Sequence, residues 1–255
     1  MRRSPKGLPI AIVLAGAIGA VVIIAVAIVY AAGYGVARKA TADLVSERAN
    51  FAIDTIISRT TQHLQPIRAQ LAYINSAVDA GDVDVEDPAA LGNLLSASLA
   101  AAPQVSVAAF IYPDLSVLRA LRGRIAGRTA ILDWSEDAEV ARSYALAKAA
   151  DGPFWGGLFV AEEAGQAFIN LRHPVRQGGR FLGVLVAGVS VSELSMFISG
   201  IPLAVSDQAF ILRGHNEVLA HPALLDGVPG ISDTHPLPAL HEVGDPILGA
   251  LWAAE

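Results

Sequence analysis

Between positions 7 and 37 the chain carries no charged residue, and Ile, Val, Ala and Gly make up most of that stretch. About 20 consecutive apolar residues cross a bilayer core. Residues 8–30 meet that length, with Pro9 confined to the first turn, where its missing N–H is tolerated. The run exceeds the roughly 7–15 residues of a secretory apolar region. It therefore reads as an uncleaved anchor, although Ala31-Ala32-Gly33 has the small residues that a cleavage site uses. Arg2, Arg3 and Lys6 precede the run, and positive flanks stay on the cytoplasmic side. Tyr30 and Tyr34 suit the far interface, where aromatic rings sit at headgroup level. The remainder of the chain is expected outside the cytoplasm, which leaves transport, surface chemistry and sensing to be weighed.

That remainder is rich in Ala, Val and Leu and sparse in charge, so it can bury a core. Three of the 18 basic residues precede the anchor and all 24 acidic ones follow it, which gives the outer part a net charge of −9. No basic patch interleaved with aromatics occurs, so nucleic acid is not an expected partner. The chain has no cysteine, which excludes disulfides and thiolate metal sites.

Beyond the anchor, residues 36–80 show the 3–4 spacing of a long helix: Leu44, Val45, Phe51, Ile53, Ile56, Ile57, Leu64, Ile67, Leu71 and Ile74. Pro66 is expected to kink it, because the pattern resumes afterwards. Such a helix is about 65 Å long, too long for one small core, and part of it is expected to pair with a second copy. Asp87-Pro88 opens a second helix that ends before Pro103. Residues 105–112 and 117–121 read as a hairpin around Pro113-Asp114-Leu115-Ser116. Residues 133–150 read as a helix stopped by Asp151-Gly152-Pro153. Three strands follow, at 154–160, 166–175 and 180–191, then a short helix at 192–199. From Ser206 the hairpin theme starts again, with strands at 208–213 and 217–220. Short turns between strands imply an antiparallel sheet flanked by helices, an α+β fold.

Chemistry is not advertised. His215, His221, His235 and His241 lie near Asp226, Asp233 and Glu242, but none forms the tight pair typical of a zinc site. There is no nucleophile elbow, phosphate loop or dinucleotide fingerprint. Asp133, Glu136, Asp137 and Glu139 cluster at a helix start, where the macrodipole favours acids. No catalytic residue, metal or cofactor is therefore assigned.

Three segments carry a resemblance. They are Gly152-Pro153-Phe154-Trp155 through Gln166-Ala167-Phe168-Ile169-Asn170, then His173-Pro174-Val175 with the turn and strand at 178–184, and Phe210-Ile211-Leu212 with Val218-Leu219-Ala220-His221-Pro222. The layout resembles the double Cache family, the PAS-like extracytoplasmic sensor domains of bacterial transmembrane receptors. The resemblance implies residues 1–7 in the cytoplasm, a transmembrane helix at 8–32, and a stalk and second helix at 33–102. It implies a ligand-sensing lobe at 103–203 and a membrane-proximal lobe at 204–255 that looks truncated, with a second span and an effector expected after Glu255. It also implies an inner-membrane receptor whose bulk is periplasmic, a small-molecule ligand, and a homodimer formed through the long helix.

In amino-acid-binding members an Arg-x-aromatic pair opens the pocket helix, and an Asp on the last strand holds the ligand ammonium. Arg142-Ser143-Tyr144 resembles the first element. Gly188 stands where the Asp would be, which points to a carboxylate ligand without an ammonium group. Trp134, Trp155, Phe159 and Tyr112 are the expected pocket aromatics beside Arg142 and Tyr144. The segments 101–105, 181–186 and 243–248 resemble the input regions of alphaproteobacterial class III adenylate/guanylate cyclase receptors. Chemotaxis receptors, histidine kinases and diguanylate cyclases are the alternative outputs. A membrane-anchored exported enzyme and a structural periplasmic protein are readings of other classes.

Overall fold

A computed structural model describes residues 10–122, 129–161, 165–203, 208–228, 230–232 and 234–252. The basic flank Arg2, Arg3 and Lys6, the start of the expected span at 8–9, Ser206, Asp233 and Glu255 lie outside the described residues. The chain divides into two compact units, residues 1–55 and 56–255.

Anchor and stalk are one helix, α1 (Ile10–Asp79). No break separates the residues read as a span from those read as the long helix. Gly33 and Gly35 lower helix propensity, but alanines and valines surround them, and neither proline nor a cap interrupts the run. The helix also continues through Pro66, which forfeits the hydrogen bond its ring nitrogen would have donated to the Gln62 carbonyl. In the first unit the helix is long and apolar enough to cross a membrane. Its side chains from Val22 to Phe51 are exposed, Leu44, Val45 and Phe51 among them, and so is Ile53.

The second unit is built on a seven-stranded antiparallel sheet. Its strands are β1 (Val107–Ile111), β2 (Ser116–Leu121), β3 (Thr129–Asp133), β4 (Phe154–Trp155), β5 (Phe159–Ala161), β6 (Gln166–Gln177) and β7 (Arg180–Ser190). The order across the sheet is β3-β2-β1-β7-β6-β4, with β5 also paired to β6. Two expectations are corrected. β3 was not expected, and its last residue, Asp133, was read as the first of a helix. Helix α3 (Ala138–Ala149) begins later, at Asp137, whose carboxylate accepts from the Val140 N–H at 3.0 Å. The expected strand 154–160 is two strands, parted at Gly156 and Gly157.

Strand periodicity gives the sheet two different faces. One carries Ala108, Phe110, Leu118, Ala120, Leu171, Leu185 and Ala187, all buried in one cluster. It packs under Ile67, Leu71, Ile74 and Val78 of α1 and Leu91, Leu95 and Leu99 of helix α2 (Pro88–Ala101). Both helices place these residues at 3–4 spacing, one apolar stripe each. Asp87 caps α2 by accepting from the Ala89 and Ala90 N–H groups. The opposite face, under α3, carries Val107, Ala109, Ile111, Val117, Arg119, Asn170, Arg172 and Val186.

Helix α4 (Val191–Ser199) leads into the second lobe. There β8 (Ile211–Arg213) and β9 (Glu217–Ala220) form a hairpin over a separate apolar cluster with Leu224, Leu237 and Leu248. His221, 3% exposed, ties that lobe together. Its Nδ1 accepts from the Ala223 N–H at 3.0 Å, and its Nε2 lies 3.3 Å from Asp245.

Two expected outcomes follow from this packing. A Cβ on Gly183 would sit 2.5 Å from both the Ile111 carbonyl oxygen and the Phe110 ring. Gly183→Ala is expected to destabilise the protein by about 1–3 kcal/mol, read from denaturant unfolding of the detergent-solubilised chain. The second concerns His63, whose ring stacks on Phe197 at 3.8 Å and whose pKa burial holds below the ordinary imidazole value. The folded state thus binds this proton less readily than the unfolded chain. Stability is complete above about pH 6.5, the unfolded value, and falls as pH drops towards the lowered folded one. His63→Phe keeps the stack and should flatten the pH dependence of the Tm on that acid side.

Candidate ligand-binding site

The sheet face beneath α3 borders a cavity of about 730 Å³. That is the size of small-molecule sites, which are mostly apolar with a few placed polar groups. Val107, Ala109, Ile111 and Val117 form an apolar floor, while Trp134, Val140 and Ser143 come from α3 and the loop before it. Residues 157–161 close one side, and Arg213, Glu217, Thr234 and Pro236 bring the second lobe to its edge.

Register explains where the charges fall. Arg119 on β2 pairs with Ala109 on β1, Ala109 pairs with Val186 on β7, and Val186 pairs with Arg172 on β6. The two arginines therefore stand in one row across the strands, separated by two small or medium apolar residues. Three steps of about 4.8 Å put their Cα atoms about 14 Å apart.

Asn170 positions Arg172. It is 1% exposed, and its Oδ1 accepts from Arg172 Nε at 2.7 Å. Its Nδ2 donates to the Gly157 carbonyl, and its own carbonyl accepts from the Gly156 N–H at 2.8 Å. That trio of bonds parts β4 from β5. Gly156 is required here by close approach, because a Cβ would collide with Asn170 Oδ1 and lie 2.6 Å from Arg172 Nε.

Phe159 stacks on Phe168 at 4.8 Å and joins Val107 and Ala161 in a small apolar cluster. This cluster fills the region beside Gly188, where an added Cβ would meet Val107. Residues 157–161 face two ways. Phe159 and Ala161 pack in that cluster, whereas Leu158 and Val160 pack on the core of the second lobe.

The residues expected at the site divide three ways. Trp134 and Phe159 line the cavity. Trp155 borders a smaller recess of about 340 Å³ beside it, which shares Arg172 and Ser143. Arg142, Tyr144 and Tyr112 are not among the lining residues. Arg142 is exposed on α3, while its neighbour Ser143 is the buried residue of that turn. Tyr144 packs edge-on against Phe181 at 5.4 Å, and burial followed by the charge of Asp114 raises its pKa. Tyr112 lies on the other face of the sheet, where its hydroxyl donates to the Val85 carbonyl at 3.0 Å. Burial, with Asp114, Asp84 and Asp87 nearby, raises its pKa as well.

Arg119, Asn170 and Arg172 were not singled out from the sequence. The signal was available: in Val117-Leu118-Arg119-Ala120-Leu121 and Phe168-Ile169-Asn170-Leu171-Arg172 a polar group interrupts an inner-strand pattern at period 2.

Solved structures share this fold. The ligand-binding domain of the Campylobacter jejuni chemoreceptor Tlp3, in complex with L-norvaline, aligns with a TM-score of 0.56 at 14% identity, over 74% of this chain and 73% of that one. The extracellular domain of rpHK1S-Z16, assigned as a histidine kinase, aligns at 0.54 and 18% identity, over 69% and 70%. That of mmHK1S-Z3, assigned likewise, aligns at 0.52 and 16%, over 74% and 73%. No protein-family model matches the chain, and no curated protein sequence matches it. The fold is thus that of receptor sensory domains.

Gly156→Ala tests the positioning of Arg172. It is expected to displace the guanidinium and the Asn170 amide while leaving the helix-packed face intact. Thermal unfolding should change little, whereas the binding of any ligand that stabilises the parent protein should weaken about tenfold or more, the scale of a lost charge-assisted hydrogen bond.

Proposed function

We propose that the chain is the extracytoplasmic input region of a bacterial signal-transduction receptor, and that it senses a small carboxylate in the cavity beneath α3. The observation that carries this is the cavity itself: a mostly apolar sheet face with two arginines, on the fold of chemoreceptor and histidine-kinase sensory domains. The opposite face supports the reading by contrast, because its apolar residues are packed under α1 and α2.

In this reading α1 anchors the chain with its N-terminus in the cytoplasm, and residues 103–203 form the sensing lobe. The exposed apolar residues Leu44, Val45 and Phe51 lie where two copies would pair. The resemblance to cyclase-linked receptors makes a class III cyclase the proposed output. The chemoreceptor and kinase neighbours favour a methyl-accepting or kinase output as the second reading. Ligand occupancy reaches the second lobe through residues 157–161. A ligand shifts such an equilibrium only by its differential affinity for the two arrangements.

Ser143→Trp tests the assignment of the site. Ser143 is buried on α3 and lines the cavity, so an indole there should fill it. Thermal-shift screening of the full chain in detergent against carboxylates, amino acids, amines and sugars should yield a ligand that raises the Tm. That rise follows mass action, about 2.7 kcal/mol of stabilisation at a hundredfold excess over Kd. The variant should remain folded and lose the response. A screen without any stabilising ligand, or a response the indole leaves intact, would remove the cavity as the sensing site.

A further inference from the structure

We infer that the ligand is an aryl-tailed carboxylate: its head lies in the cavity, and its apolar ring occupies the adjoining recess between α3 and β4. This rests on the cavity being the sensing site and adds the shape and polarity of the ligand's far end.

Three features point to it. The first is continuity along α3. Val140 and Ser143 line the cavity, while Ser143, Leu146 and Ala150 line the recess. These positions recur at 3–4 spacing, so a single stripe of the helix borders both spaces.

The second is continuity along the sheet. The row of Arg119, Ala109, Val186 and Arg172 has a fifth member, because Phe154 on β4 pairs with Arg172. Residues opposite each other in a ladder share a face. Phe154 therefore stands on the cavity face one strand further out, and it packs against the cluster that holds Ala109, Ala147 and Val186. The recess lies over the outermost strand of the same floor. Ser143, Gly157 and Arg172 line both spaces. Two of these three have little or no side chain, so the boundary is low enough for one molecule to cross.

The third is polarity and size. Apart from Ser143 and Arg172, the recess is walled by Leu146, Ala150, Phe154, Trp155 and the two glycines of the strand break. Its volume of about 340 Å³ exceeds the roughly 150 Å³ in which an apolar cavity accepts benzene. Leu146 is 61% exposed and Trp155 39%. A ring seated there takes apolar surface of both out of water, which is favourable in proportion to the area covered.

The test titrates the full chain in detergent with phenylacetate, 3-phenylpropanoate and 4-phenylbutanoate, with acetate and butyrate as tail-less and short-tailed controls. At least one phenylalkanoate should bind about tenfold or more tighter than butyrate, the scale of burying one phenyl ring. Ala150→Leu fills the recess from a position that does not line the cavity. It should weaken that phenylalkanoate about tenfold and leave butyrate unchanged. Leu146→Gln puts an amide on the exposed wall and should weaken the phenylalkanoate several-fold, whereas Leu146→Met, which stays apolar, should retain its affinity. Leu146 is exposed enough that its variants should melt as the parent does without ligand, so they carry the test if Ala150→Leu fails to fold. Ser143→Trp should abolish the binding of every probe.

Phenylalkanoates that bind no tighter than butyrate would overturn the aryl tail. An advantage that survives both Ala150→Leu and Leu146→Gln overturns the recess as its seat, and so do equal losses for butyrate and the phenylalkanoate in both variants. The sensing site stands after any of these results if Ser143→Trp still abolishes the binding. Failure of every carboxylate overturns the ligand class, and the sensor reading falls with it only if the broader ligand screen is also blank.

Discussion

The pairing of β1 with β7 is the constraint on which the site depends. β1 belongs to a meander that ends at β3, and β7 belongs to the long β6–β7 hairpin. Only their ladder, with Ala109 opposite Val186, joins the two halves into one sheet. It decides which residues share a row and which share a face. A slip of one residue would turn every side chain on one half to the other side. Either Arg119 would then enter the helix-packed core, or Val186 would leave the cavity floor, according to which half turned. The burial of Phe110, Leu118 and Leu185 beneath α1 and α2 fixes the register, so the apolar face enforces the geometry of the polar one.

Much of the architecture was legible because its signals are periodic. The apolar stripes of α1 and α2, the β1–β2 hairpin and the β6–β7 meander all follow from spacing and turn chemistry. β3 was missed because Thr129 to Asp133 is a short edge strand, and its acidic end resembles a helix start. Asp133 indeed acts as a cap, but of a turn, accepting from the Ser135 N–H at 3.0 Å. The break after β4 was missed because its cause is a side chain on another strand. Asn170 captures the Gly157 carbonyl, and no local pattern records that.

The site was legible only in part, for the same reason. Trp134 and Phe159 could be chosen as aromatics near turns. Choosing between Arg142 and Ser143 required the rotation of α3 on the sheet, where a difference of one residue moves a side chain about 100° round the helix. The significance of Arg119 and Arg172 lies in standing in one row across four strands, a relation between positions more than fifty residues apart in sequence. Each alone reads as an ordinary strand arginine. Tyr112 illustrates the converse: a strand aromatic has two possible faces, and its hydroxyl found the Val85 carbonyl on the helix side.

Coupling follows from how few elements touch both the cavity and the second lobe. Leu158 and Val160 bury themselves in the second lobe while Phe159 and Ala161 stay with the cavity-side cluster. A strand alternates its side chains with period 2, so a twist of this segment moves both sets together. Gly227 adds a close approach from the second lobe, with its would-be Cβ 3.0 Å from the Gln166 amide nitrogen and 3.2 Å from the Gly165 carbonyl oxygen. Interiors packed this closely have discrete alternatives and deform little between them. In the proposed reading, a ligand that draws on Arg172 would act on Asn170, through Asn170 on Gly157, and so on the segment shared by both lobes. A tenfold preference for one arrangement, about 1.4 kcal/mol, is available from a single charge-assisted hydrogen bond. Arg172 is thus bonded, through Asn170, to the segment that the proposed reading makes the reporter of ligand arrival.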